Sequence, residues 1–203
     1  MAALIPLLVS FDSQRANSFD THFYRCAEGG FMKFAPRSER TEFLETNNLG
    51  HLLTADRLPG AATVRYVFEQ EDHTQSVFTL AKFLTGLSEA HDATLVTLDL
   101  MYVWSSGRDE HLIATALQSM TNANTGRLQD GAMFLWNEQE KHKAATLYHL
   151  AMLFGWDAYI IPNGGTVSAF ISHDGFLELN TDGDPELLAS RAEDETQRHF
   201  YAV

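Results

Sequence analysis

The chain has 203 residues, enough for one large domain with a substantial core, and it contains no run of the roughly 20 apolar residues that cross a bilayer. Hydrophobic residues make up 45% of the sequence and charged residues 20%, which is typical of a globular protein and excludes a disordered or fibrous one. The formal charge of -13 disfavours binding to a nucleic-acid backbone and permits a basic protein partner, while the simpler interpretation is that the acidic surface keeps the protein soluble.

The negative charge comes from one part of the chain. Residues 1–65 carry seven basic and seven acidic side chains, whereas residues 66–203 carry seven basic and twenty acidic ones. The run from Ala2 to Val9 lacks a basic start and a small-residue cleavage site, so it does not fit a secretory signal. The single Cys26 cannot form an internal disulfide, which favours a reducing compartment. We therefore expect a soluble, cytoplasmic protein with no membrane contact.

The first third of the chain is predicted to consist of strands around one short helix. Glu28, Gly29 and Gly30 lie between two short apolar runs and indicate a hairpin. Ser38 is an N-cap residue for the helix that follows. The predicted strands are 3–11, 23–27, 31–35 and 63–69, and the predicted helix is 39–46.

The middle of the chain is predicted to hold an amphipathic helix and a central strand. Apolar residues recur at helical spacing over 74–87. The strand that follows, 94–104, is apolar on both faces, which predicts that both faces are covered. Ser105, Ser106 and Gly107 then lead into the start of a further helix.

The last third is predicted to contain the strongest helix in the chain and a meander. Asn137 caps a helix over 138–154 and Gly155 ends it, with a buried stripe formed by Ala144, Leu147, Tyr148, Ala151 and Phe154. Asp174 and Gly175 indicate a two-residue turn between strands. The strands are predicted at 132–136, 158–161, 167–173 and 176–180, and a last helix starts at Asp184 and Pro185. The acidic residues from Glu193 onward are expected to fray.

These elements predict a single domain over residues 1–203 with an α/β or α+β fold. Strands and helices alternate from residue 63 to 161, which argues for crossover connections and some parallel pairing. The predicted architecture is a mixed β-sheet with flanking helices, βαβ-like alternation in the middle and antiparallel hairpins at both ends.

The end of the central strand is the first candidate site. Asp99 is a carboxylate within a largely apolar strand, where it needs a partner or a raised pKa if it is buried. Ser105, Ser106 and Arg108 follow at a helix start, where backbone N–H groups and a guanidinium can bind an anion. The simpler interpretation is helix capping, because Asp109 already places negative charge there.

His173 and Glu178 flank the Asp-Gly turn and form the second candidate. If His173 pairs with Phe176, the imidazole and the Glu178 carboxylate share one face of the sheet as an acid/base pair. The same two residues are also ordinary on an exposed hairpin.

A metal site and a cofactor site are not predicted. Glu138, His142 and His149 lie on nearly one helical face, but Lys141 and Lys143 beside them would repel a cation. The sequence also contains no Gly-rich phosphate motif and no Gly-x-Ser-x-Gly nucleophile motif.

The first functional hypothesis is therefore a non-enzymatic, acidic module that binds a basic protein in the manner of an inhibitor or antidote. The alternative is a small-molecule enzyme or ligand-binding protein whose site lies beyond Trp104 and is lined by Asp99, Ser105, Ser106 and Arg108, with His173 as a proton-transfer group. A third hypothesis is a structural role in which the chain forms homo-oligomers through a hairpin edge.

Overall fold

The computed structural model describes residues 32–52, 60–68, 74–88, 93–99, 110–121 and 132–203. Its strands are β1 Lys33–Pro36, β2 Ala62–Val67, β3 Thr94–Asp99, β4 Ala132–Trp136, β5 Asp157–Pro162, β6 Val167–Ser172, β7 Phe176–Thr181 and β8 Tyr201–Ala202. Its α-helices are α1 Arg40–Thr46, α2 Thr74–Ser88, α3 Glu110–Met120, α4 Lys141–Phe154 and α5 Pro185–Thr196. The predicted strands at 3–11 and 23–27, and Cys26, lie outside the described residues.

The strands form one sheet in the order β1-β4-β3-β5-β6-β7-β2-β8. All its ladders are antiparallel, so the predicted fold class is confirmed as α+β. The expected parallel pairing is not found between the described strands, whose surroundings contain one isolated parallel bridge, Met32 to Thr121. Alternation of helices and strands along the chain does not determine strand direction: β3 and β4 are antiparallel neighbours although α3 lies between them in sequence.

The central position of β3 is confirmed. It lies between β4 and β5, and both of its faces are covered. Val96 and Leu98 point into the main core, whereas Leu95 points into a smaller core on the other face. The alternation of buried side chains along β3 therefore matches the period of a strand with two covered faces.

The main core lies between the sheet and the helices α2, α4 and α5. Its largest fully buried side chains include Trp136, Trp156, Tyr148 and Phe134. Trp136 Nε1 donates a hydrogen bond to the Tyr148 hydroxyl at 2.8 Å, so two large polar-tipped rings satisfy each other inside this core.

The smaller core covers part of the opposite sheet face beneath α1. Leu44 of α1 and Leu49 after it are buried there against residues of β1, β3, β4 and β5. The sheet residues in this core are Ala35, Leu95, Met133, Leu135 and Ile161. Among the described helices, α2, α4 and α5 thus cover one face of the sheet and α1 covers part of the other.

The predicted ends of α4 are confirmed. Asn137 and Glu140 form a capping box at the start, with Glu138–Glu140 as a 3₁₀ turn, and Gly155 ends the helix in the left-handed conformation with φ of 62°. The predicted buried stripe is present except at Phe154, which is 43% exposed and stacks on Trp156. Phe154 is the last residue of the helix.

The expectation that the chain frays after Ala192 is wrong. Helix α5 starts at the predicted Asp184 cap but continues to Thr196, and β8 then pairs with β2. Phe200 is only 3% exposed, because its ring packs 5.4 Å from Tyr66 and 6.3 Å from Phe83. An aromatic anchor after the acidic run therefore returns the chain to the sheet.

Candidate functional site

Two interior strands place acidic residues side by side at one end of the sheet. Asp99, the last residue of β3, pairs in register with Asp157, the first residue of β5. Directly opposed residues of antiparallel strands have Cα atoms about 4.5–5.5 Å apart, and like charges at such positions are destabilising. A cationic or proton-donating group near Asp157 would therefore stabilise this end of the sheet. The side chain of Asp99 lies outside the described part of the structure.

His173, in the turn between β6 and β7, is the group that contacts Asp157. Its backbone N–H donates to Asp157 Oδ1 at 2.8 Å, and its ring Nδ1 lies 2.9 Å from both carboxylate oxygens. Its Nε2 lies 3.4 Å from Oδ1 of Asp174. The His173 side chain is 52% exposed and that of Asp157 is 24% exposed. One carboxylate thus holds both the backbone and the ring of a solvent-accessible histidine.

The turn that carries His173 differs from the expected one. Ser172 pairs with Phe176, so the turn contains three residues, His173, Asp174 and Gly175, rather than two. The N–H of Gly175 donates to the carbonyl of Ser172 at 3.1 Å, and the N–H of Asp174 donates to the Ser172 hydroxyl at 3.1 Å. Because Ser172 is the residue that pairs with Phe176, the expected pairing of His173 with Phe176 is wrong.

Because the register shifts by one residue, His173 and Glu178 have separate partners. Phe170, not Ile171, lies opposite Glu178. Arg65 of β2 also lies opposite Glu178; its Nε donates to Glu178 Oε1 at 3.0 Å, and its Nη2 donates to the same oxygen. This hydrogen bond raises the pKa of Arg65 above its ordinary value. In this arrangement Glu178 is the ion-pair partner of an arginine.

A row of aromatic rings continues from this ion pair across the same sheet face. The Arg65 guanidinium carbon lies 4.5 Å from the centroid of the Phe176 ring. Phe176 meets Phe170 edge-on at 6.0 Å, and Phe170 stacks on Tyr159 at 4.6 Å. These contacts tie β2, β5, β6 and β7 together opposite the main core, on a part of the sheet that α1 does not cover.

The remaining candidates at the end of the central strand cannot be placed beside Asp157. Ser105, Ser106 and Arg108 lie outside the described residues. The described side chains contain no group of three or more His, Cys, Asp or Glu residues that could hold a metal ion. In particular, His149 packs its ring 5.2 Å from that of Phe78, while His142 is exposed.

Negative charge is concentrated around α5. Six carboxylates and one arginine occur between residues 182 and 195. We define the acidic patch as the exposed carboxylates of this segment: Asp182, Asp184, Glu186, Asp194 and Glu195. Asp184 caps α5 by accepting from the N–H groups of Glu186 and Leu187, at 2.9 and 3.4 Å. The Leu187 side chain is 70% exposed within this acidic surface.

Two residues of these sites were missed in the sequence. Asp157 is 16 residues from His173, and only the strand register brings them together. A signal did exist for Leu187: Leu188, Ala192 and Thr196 repeat at helical spacing and form the buried face of α5, which leaves the preceding leucine on the outside.

The fold and these surfaces define a helix-covered antiparallel sheet of the α+β class, with a histidine–aspartate pair at one end and an acidic helix at its surface. None of the described helices has the length and apolar character needed to cross a membrane. Comparison with protein-family models, with curated proteins and with solved structures found no match.

Proposed function

We propose that this protein is a cytoplasmic binding module that engages a basic protein partner through the acidic patch, in the manner of an inhibitor or antidote. The observation that carries the proposal is the exposed Leu187 within the carboxylates of α5. Protein interfaces commonly combine a central apolar anchor with a charged rim. Leu187 supplies the anchor, and Asp182, Glu186 and Asp194 supply the rim.

The charges of the patch are expected to act mainly on the rate and selectivity of association. The net charge of -13 creates a long-range field that attracts cationic surfaces and repels acidic ones. Part of the patch is internally compensated, since Arg191 Nε donates to Glu195 at 2.8 Å. Asp182, Glu186 and Asp194 are therefore the residues to change in a test.

The test compares two triple variants of equal charge. Asp182→Asn, Glu186→Gln and Asp194→Asn neutralise the patch, while Glu42→Gln, Glu45→Gln and Glu138→Gln neutralise exposed carboxylates elsewhere. Each protein is immobilised, partners are captured from a lysate, and the affinity of a captured protein is then measured in solution. We expect the patch variant to bind about tenfold more weakly, from about 0.5 kcal/mol per exposed charge pair, and the control to bind like wild type.

Salt dependence provides the second criterion. Binding through exposed charges weakens as ionic strength rises, because the screening length falls from about 10 Å at 0.1 M to about 3 Å at 1 M salt. Affinity that is independent of salt, or equal loss of affinity in both triple variants, contradicts recognition through the acidic patch.

A second candidate function, a small-molecule enzyme or ligand-binding protein, is supported by a different observation. The carboxylate of Asp157, which pairs in register with Asp99 of β3, orients the ring of His173. An enzyme that uses acid–base catalysis requires a group that accepts or donates a proton in a fixed geometry. A purely structural role for this hairpin would not require an oriented histidine.

A further inference from the structure

We propose that His173, positioned by Asp157, is a proton-transfer site that takes small neutral or cationic hydrogen-bond donors, such as alcohols and amines. The proposal rests on the second candidate function and is independent of the acidic patch. His173 is the proton-transfer group, and Asp157 is a positioning residue that acts through it.

The contacts of Asp157 determine which ring nitrogen carries the proton. Both oxygens of the carboxylate lie 2.9 Å from Nδ1, and an ionised carboxylate can only accept hydrogen bonds. Nδ1 must therefore be the donor, which in the neutral ring leaves Nε2 as the proton acceptor. The hydrogen bond from the His173 N–H to Asp157 Oδ1 fixes the backbone as well, and turning the ring away would break both contacts between Nδ1 and the carboxylate.

The charges that face the ring select the ligand. Among the described side chains, Asp157 lies on the Nδ1 side and Asp174 lies 3.4 Å from Nε2. These two carboxylates beside one accessible imidazole disfavour phosphates and carboxylates as ligands. They favour a donor that is neutral or positively charged, and half of the His173 side chain surface is accessible to it.

The proton-transfer step is balanced without a further reagent. The O–H or N–H bond of the ligand breaks, its electron pair stays on the oxygen or nitrogen, and the proton forms a bond to Nε2. The resulting imidazolium is stabilised by the ionised Asp157. The same proton returns to the ligand or its product when the step reverses.

The positioning role is tested by the tautomer of His173, read from the ring nitrogen shifts of ¹⁵N-labelled protein across a pH series. Asp157→Asn keeps an oxygen for the backbone N–H but places an amide donor beside Nδ1, so we expect the wild-type Nδ1–H tautomer to shift toward Nε2–H. Asp174→Asn makes the same charge change and leaves Asp157 in place, so the tautomer should be unchanged. A wild-type ring in the Nε2–H form, or the same response in both variants, overturns the positioning role.

The ligand class is tested on the same signals with ethanolamine, acetate and inorganic phosphate at equal ionic strength. We expect ethanolamine to move the His173 resonances in a saturable way, with weaker binding in Asp157→Asn, and acetate and phosphate to leave them in place. His142, which is exposed on α4, provides the internal control. No saturable response to any of the three probes, or an equal response at His142, overturns the ligand site and the support that it gives to the second candidate function, whatever the tautomer. A larger response to the anions overturns the ligand class.

Discussion

At the scale of single residues, the Tyr148–Trp136 pair shows how the core accommodates polar groups. Trp136 Nε1 donates to the Tyr148 hydroxyl at 2.8 Å, and both side chains are buried. The Tyr148 hydroxyl also has a hydrogen bond with Ser88. Such a hydrogen bond adds only modestly to the free energy of unfolding, because both groups bond to water in the unfolded chain. A buried donor left without its acceptor destabilises the folded state more strongly, because it has lost its bonds to water and has gained none in return.

Tyr148→Phe is therefore expected to destabilise the protein by about 1–3 kcal/mol, because the indole N–H loses its acceptor while the ring volume is nearly kept. Urea unfolding at pH 7, followed by tryptophan fluorescence, measures the change. Tyr201→Phe is the matched control, since Tyr201 is exposed and should change stability by less than about 0.5 kcal/mol. Equal stability of Tyr148→Phe and wild type would mean that the indole finds another acceptor.

At the scale of secondary-structure elements, β8 has two residues, which pair with Val64 and Arg65 of β2, and the N–H of Val203 after it donates to the Thr63 carbonyl at 3.0 Å. Two residue pairs do not hold a strand on a sheet edge by themselves. The anchor is Phe200, which enters the main core between Tyr66 of β2 and Phe83 of α2.

Phe200→Ala is expected to destabilise the protein by about 3–5 kcal/mol, because it removes a buried ring and leaves a cavity. It should also raise amide hydrogen exchange at Tyr201 and Ala202 toward the unprotected rate. Val203→Ala, a truncation of an exposed side chain in the same segment, is the control and should change neither quantity appreciably. Retained protection in Phe200→Ala would show that backbone pairing alone holds β8.

The elements that were predicted correctly depend on residues close together in sequence. The Asn137 cap, the Gly155 stop and the stripe of α4 are each set within about one or two helical turns. The central strand was recognised because apolar residues cover both of its faces. In both cases the local sequence pattern agrees with the burial in the fold, so the pattern alone is sufficient to predict the element.

Strand register and strand direction could not be predicted from residues that lie close together in the sequence. A one-residue difference in the turn at His173 exchanges Ile171 for Phe170 opposite Glu178 and leaves His173 outside the ladder. The pairing of Glu178 with Arg65 is set separately, by the register of β2 with β7. The Asp-Gly pair predicts a turn but not its length, because two- and three-residue turns both accept these residues. The Asp157–His173 contact follows from that register and has no local signal.

At the scale of the whole molecule, pH links Tyr148 to global stability. Burial raises the pKa of Tyr148 far above its ordinary value of 10.0. In the unfolded chain Tyr148 releases its proton near pH 10, while the folded protein keeps it. Above pH 10 the folded state therefore binds more protons than the unfolded state. The stability that the protonated Tyr148 contributes is complete below that pH and is lost as the pH rises. The raised pKa of Arg65 acts in the same direction, but only at a far higher pH, where an arginine begins to lose its proton.

The free energy of unfolding of the wild type is therefore expected to fall between pH 10 and 11.5, with a Tyr148 contribution that approaches about 1.4 kcal/mol per pH unit. Tyr148→Phe has no proton to lose at this position, so its curve should be shallower by that amount although it starts lower. Tyr201→Phe should keep the wild-type slope. Its net negative charge increases with pH as in the wild type, so the effect of general charge repulsion is the same in both proteins. Urea unfolding at fixed ionic strength across this range measures all three slopes. Parallel curves for wild type and Tyr148→Phe would assign the alkaline loss of stability to the acidic molecule as a whole rather than to its buried tyrosine.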